Sequence, residues 1–166
     1  MVRRPRLFLP VVAFCALVAF PAAAHVAFVK RQVEMAGSIE LTLRTPHGCN
    51  GSPTLRLRMR LPRAVTSARP QRKEGWTISQ SGEGGAREVI WSGRLPDKQT
   101  GIFPLTIELD GSVKTGETLF FPVVQECESG VSRWIDMKGA PDGEAQDGAH
   151  DEATSPAPSI RLLPRK

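Results

Sequence analysis

His25 carries the most chemistry in this chain because of what precedes it. Arg3, Arg4 and Arg6, the apolar run from Leu7 to Phe20 and the small residues Ala22-Ala23-Ala24 have the make-up of a secretory signal with an A-x-A cleavage site. Cleavage after Ala24 is expected to make His25 the first residue of the mature protein, with its α-amine beside its own imidazole. Those two nitrogens can close a chelate ring on a metal, and nitrogen donors in a tetragonal arrangement favour copper(II). A histidine one residue further in lacks this chemistry.

The apolar run is interrupted by Pro10 and Pro21 and falls short of the roughly 20 residues a spanning helix needs. The mature product is therefore expected to be periplasmic or secreted, with no stable membrane insertion once the signal is removed. Taking 24 residues from 166 leaves 142, enough for a single domain, 25–166, with a real core. The first 24 residues hold three of the 22 Lys and Arg and none of the 17 Asp and Glu, so the side-chain balance falls from +5 to +2. Net charge then gives no indication of a nucleic-acid partner.

Cys15 leaves with the signal, and Cys49 and Cys127 remain as a pair in a chain bound for an oxidising compartment. A disulfide is the default expectation; a thiolate metal or redox site is the competing one, but the C-x-x-C spacing is missing. Met35, Met59 and Met137 are scattered, which gives no support to a soft copper(I) site.

The elements that must position these residues show period-two alternation broken every eight to twelve residues by Gly, Pro, Asn or Asp. Strands are expected at 25–29, along Ile39, Leu41 and Leu43, and along Leu55, Leu57, Met59 and Leu61. Further strands are expected at 76–80, 88–91, 102–109, 119–124, 132–137 and 160–163. The pattern predicts an all-β, antiparallel β-sandwich, apolar inside and polar outside. Arg56, Arg58 and Arg60 alternate with the apolar positions as a solvated face does, which is a simpler account than a polyanion site. Gly82 to Gly85 reads as a hairpin tip, and residues 139–158, acidic and containing His150, read as a flexible loop or tail. Trp76 and Trp91 are assigned to packing.

Several of these pieces together carry a resemblance. His25-Val26 after the A-x-A site, Ala36-Gly37-Ser38, the block Thr45-Pro46-His47-Gly48-Cys49-Asn50-Gly51-Ser52-Pro53-Thr54, Ala68-Arg69-Pro70, Gly75-Trp76-Thr77, Val124-Gln125-Glu126-Cys127, Trp134 and Ser155-Pro156-Ala157-Pro158 resemble the YcnI-like family of exported bacterial copper-binding proteins. The resemblance implies an immunoglobulin-like or cupredoxin-like sandwich that binds copper(II) through its N-terminal histidine, an arrangement called a monohistidine brace. It implies a chaperone or storage role, with a copper importer or another exported copper protein as partner.

By position, His25 matches the brace residue and Trp134 a tryptophan beside the metal. The family's glutamate is absent from the segment near Gly48 to Asn50, where Asn50 is the nearest oxygen donor. His47, two residues before Cys49, and Glu126, next to Cys127, are further candidates to complete the copper sphere if the disulfide brings those loops near His25. Two other functions compete with a non-enzymatic copper carrier: a metal-free interaction or adhesion module, and a copper monooxygenase using a histidine brace. The latter normally needs a second histidine in the brace, in a context that neither His47 nor His150 offers, and the chain has no Tyr for an axial position.

Overall fold

The computed structural model describes residues 25–82, 87–137 and 155–165. The signal region, the expected hairpin tip beyond Gly82, and residues 138–154 with His150 lie outside the described residues. Strands numbered in chain order form three sheets. The first runs β1 (Ala27–Phe28), β3 (Ser38–Thr45), β8 (Gly101–Leu109), β5 (Val65–Pro70). The second runs β12 (Ser155–Pro156), β11 (Val131–Asp136), β10 (Val123–Cys127), β4 (Thr54–Arg60), β7 (Glu88–Leu95), β6 (Trp76–Ser81). A small third sheet holds β2 (Gln32–Glu34), β13 (Ser159–Leu163) and β9 (Thr118–Phe120). No helix occurs among the described residues, and the all-β expectation holds.

Alternation explains the core. Ile39, Leu41 and Leu43 from β3, with Phe103, Leu105 and Ile107 from β8, face Leu57 and Met59 of β4, Val89 and Trp91 of β7 and Val123 of β10, all buried in one cluster. Each such side chain contributes roughly 1.5–3 kcal/mol on leaving water. Trp76 and Trp91 both pack edgewise or tilted on Phe103, with ring centroids 5.0 and 5.6 Å away, as packing residues should.

Three expectations are corrected. Leu55 does not point inward with Leu57, Met59 and Leu61: it is 38% exposed. Against β10, Arg56 pairs with Glu126 and Thr54 with Cys127, so β4 carries an extra residue at Leu55, and Thr54 turns inward in its place. The single strand expected over 119–124 is two strands, because Pro122 cannot donate to a ladder and the chain changes sheets there. Ser155-Pro156, expected within a loop, pairs in parallel with β11, setting Ser155 opposite Trp134; proline is tolerated on such an edge. β2 and β5 were not anticipated, and the first strand is paired only over Ala27–Phe28.

The arginines of β4 form an outward ion ladder. Arg56 meets Glu126 at 2.9 Å, and Arg58 reaches Glu88 and Glu126, both at 3.3 Å. The hydrogen bonds that Arg58 donates to Glu88, then the charge of that carboxylate, raise the Arg58 pKa above its ordinary value. Partly exposed pairs of this kind add little stability, but they occupy the face that a polyanion would need.

Cys49 and Cys127 form a disulfide with Cα atoms 6.0 Å apart, closing a separation of 78 residues. Thiol labelling of the native protein without reductant should find neither Cys49 nor Cys127 free, and reduction should cost about 4–5 kcal/mol on the chain-entropy estimate. Ready labelling of both thiols in the native protein would contradict this.

Candidate metal centre

Two short segments and one strand pair meet at one end of the sandwich. The antiparallel pairing of β1 sets Ala27 opposite Arg44 and Phe28 opposite Leu43. Continued backwards, it leads the exposed His25 toward the corner where β3 ends at Thr45 and Pro46-His47 begins. On the other sheet, Trp134 of β11 lies opposite Val123 of β10. The His25 ring stands edge-on to the Trp134 ring, with centroids 5.5 Å apart and an angle of 71°.

Trp134 is held in turn. Its indole N–H donates to Gln125 Oε1 at 3.2 Å. The Gln125 amide nitrogen donates to the His47 carbonyl at 2.8 Å and to Thr54 Oγ1 at 2.7 Å. Gln125 is only 1% exposed; its bonds with Thr54 and Trp134 are buried and that to the His47 carbonyl partly so, and a lost partner costs most out of water's reach. The result is an unbroken chain of contacts from His25 through Trp134 and Gln125 to the backbone of His47.

The loop carrying His47 is a tight hairpin. Cys49 and Ser52 exchange backbone hydrogen bonds of 3.0 and 2.9 Å around Asn50-Gly51. Both tip residues have positive φ, 47° and 88°, the left-handed pair that Asn-Gly adopts in a two-residue turn. Gly48 is equally constrained: a Cβ there would sit 1.9 Å from the Ser52 carbonyl oxygen. The Gly48 N–H donates to the Asp97 carbonyl at 3.0 Å, and Ser52 Oγ accepts from Ser129 N–H at 2.7 Å. With the disulfide, these contacts make the Pro-His-Gly-Cys-Asn-Gly-Ser-Pro block rigid.

The expected site residues therefore separate. His25, Trp134 and the His47 backbone are brought together. Asn50 sits exposed at the hairpin tip, where its backbone conformation accounts for its identity. Glu126 does not turn toward His25 but to the opposite face, because alternation along β10 places Gln125 inward and Glu126 outward, and Arg56 and Arg58 bind its carboxylate. Gln125 itself was missed as a candidate. The signal for it was an uncharged amide at an inward position of an alternating strand, where a buried polar group has to be hydrogen-bonded.

Among the described residues, no three His, Cys, Asp or Glu side chains cluster as a metal cage.

A domain of unknown function, DUF1775, matches residues 25–162. The chain belongs to the DUF1775 family. Among solved structures, this DUF1775 protein is similar to an uncharacterized protein from Nocardia farcinica whose crystal structure reveals an immunoglobulin-like fold. The two share 25% sequence identity with a TM-score of 0.64, over 85% of this chain and 99% of that one. No curated protein matches the chain.

Gln125→Leu keeps the volume of the side chain but strips partners from the Trp134 indole, the Thr54 hydroxyl and the His47 carbonyl. It should destabilise the DUF1775 domain by about 3 kcal/mol in chemical denaturation. A loss under about 1 kcal/mol would show that the network does not hold this end of the sandwich together.

Proposed function

We propose that this DUF1775 protein is an exported copper(II)-binding protein that carries or stores the ion, and is not an enzyme. The mature chain starts at His25, whose α-amine and imidazole form the primary chelate. The observation that carries this reading is the His25 ring set against the buried Trp134, the same two residues that the YcnI-like resemblance pairs at the metal. The default disulfide between Cys49 and Cys127 fits a periplasmic or secreted location, and it leaves the metal to nitrogen donors.

Trp134 cannot be a nitrogen ligand while its N–H is given to Gln125. Its role is to wall one side of the His25 ring, limiting water and the number of orientations the imidazole can take. A carrier needs a site that opens to a recipient, and His25 is exposed, ahead of the first strand. The recipient is a copper importer or another exported copper protein.

Mature protein should bind one copper(II) per chain, with nitrogen hyperfine structure in its electron paramagnetic resonance spectrum. His25→Ala, or one extra residue placed before His25, should abolish that spectrum. Protons compete with the ion for both nitrogens, so affinity should also fall on acidification. A spectrum unchanged in both variants would overturn the chelate.

A further inference from the structure

A strand at the edge of a sheet offers its outward N–H and C=O groups to any other strand, and proteins blunt such edges with charge, proline, bulges or shortness. Among the described residues the three sheets end in six edge strands: β1, β5, β12, β6, β2 and β9. Five of them are blunted. β1 and β12 have two residues each, and β12 contains Pro156. β2 and β9 have three, and β2 adds the exposed charge of Glu34. β5 is longer, but its register against β8 shifts between Val65 and Ser67, and it ends in Arg69-Pro70. Side chains also cap its outer carbonyls: Arg87 donates to Thr66 O at 2.7 Å and Gln80 to Ala68 O at 3.1 Å.

β6 carries none of these devices. Its residues, Trp-Thr-Ile-Ser-Gln-Ser, hold no charge and no proline, and they pair with β7 from Trp76 to Ser81 without a register shift. Thr77, Ser79, Gln80 and Ser81 are exposed, and Trp76 and Ile78 pack against the margin of the core only partly buried.

The same edge on a second copy complements it. A two-fold axis through the sheet at Ile78 pairs the two strands antiparallel, with inward-facing residues beside inward-facing ones. Ile78 then meets its own counterpart, Trp76 meets Gln80 of the second copy, and Thr77 meets Ser79. No like charges stand opposite one another, and the half-buried Ile78 gains an apolar neighbour. A slip of one residue would set the inward Trp76 and Ile78 beside the outward Ser81 and Ser79, turning the two sandwiches to opposite faces of the joined sheet. A slip of two leaves Trp76 or Gln80 with no strand residue opposite.

We propose that the β6 edge is a self-association site, at which two copies of the protein join their six-stranded sheets through an antiparallel β6 pair centred on Ile78. The pairing uses up the edge on both copies, so association closes at a dimer. One short strand pair covers much less than the roughly 1,600 Å² of a standard interface, so the dimer is weak and forms as concentration rises.

Sedimentation equilibrium of protein beginning at His25, at concentrations up to about 1 mM, should show the mean mass rising toward that of a dimer and not beyond it. The double variant Thr77→Lys, Ser79→Lys changes two exposed side chains and sets lysine opposite lysine; it should stay monomeric throughout. Thr77→Lys with Ser79→Glu sets opposite charges across the same pairs and should restore the dimer to the wild-type level or above. Under mild oxidation Ile78→Cys should form a disulfide-linked dimer, because directly opposite Cα atoms lie about 4.5–5.5 Å apart, within disulfide reach. Ser79→Cys should not, because its counterpart is a diagonal neighbour about 7–8 Å away. Near-ultraviolet circular dichroism checks that each variant keeps the fold, and if Ile78→Cys does not, the two charge variants decide.

Wild type that stays monomeric up to about 1 mM leaves the edge to a strand of some other protein and overturns the proposal. A dimer that survives the double lysine variant forms through another surface and overturns it as well. Cross-linking at Ser79→Cys but not at Ile78→Cys contradicts the register.

Discussion

Three hydrogen bonds from one buried amide hold together the end of the sandwich on which the candidate chemistry depends. Gln125 spends its oxygen on the Trp134 indole and its two N–H groups on Thr54 and the His47 carbonyl. A buried amide is costly unless every polar atom is paired, so this position is either fully satisfied or strongly destabilising. The choice of partners makes it more than a packing residue. It joins two strands of the six-stranded sheet to the hairpin that follows β3, and the disulfide, two residues further along β10, reinforces the same junction.

That junction depends on an irregularity. A regular β4 would send Leu55 inward and Thr54 outward, and Gln125 would lose a partner. The β4 bulge at Leu55, where Arg56 and Thr54 face the successive β10 residues Glu126 and Cys127, reverses this, leaving an apolar side chain in water and placing a hydroxyl in the interior. The exposure of Leu55 is a modest cost beside that of an unpaired amide. The same logic of local cost offset by tertiary gain applies to the hairpin, where Gly48 and the left-handed Asn50-Gly51 tip let the backbone turn tightly enough to put His47 beside the β10 end.

Much of the sandwich was legible because a half-buried strand writes its two faces into alternate residues, as in Ile39, Leu41 and Leu43 against Glu40, Thr42 and Arg44. What alternation cannot write is pairing. The bulge at Leu55 and the sheet change at Pro122 are properties of neighbours, and β12 is two residues long, given its shape by β11 and not by its own composition. β5 has polar residues on both faces and a register shift of its own, which erases the period. At the site, His25 was legible from the cleavage pattern and Trp134 only through resemblance. The disulfide followed from an even cysteine count. Gln125 was hidden because a single amide in a strand looks like any outward polar residue until the register is known. Asn50, standing where resemblance implies an acidic neighbour, is explained by its positive φ, which asparagine tolerates better than glutamate does.

The picture is of an immunoglobulin-like body presenting the exposed His25 ring against the buried Trp134. Its central claim is that copper(II) is held there by nitrogen from histidine. The most direct measurement is X-ray absorption at the copper edge on protein beginning at His25 and loaded with one equivalent of copper(II). The account predicts a first shell of nitrogen and oxygen donors with the outer-shell scattering pattern of coordinated imidazole. A first shell containing sulfur, or one of oxygen donors with no imidazole scattering, would contradict it.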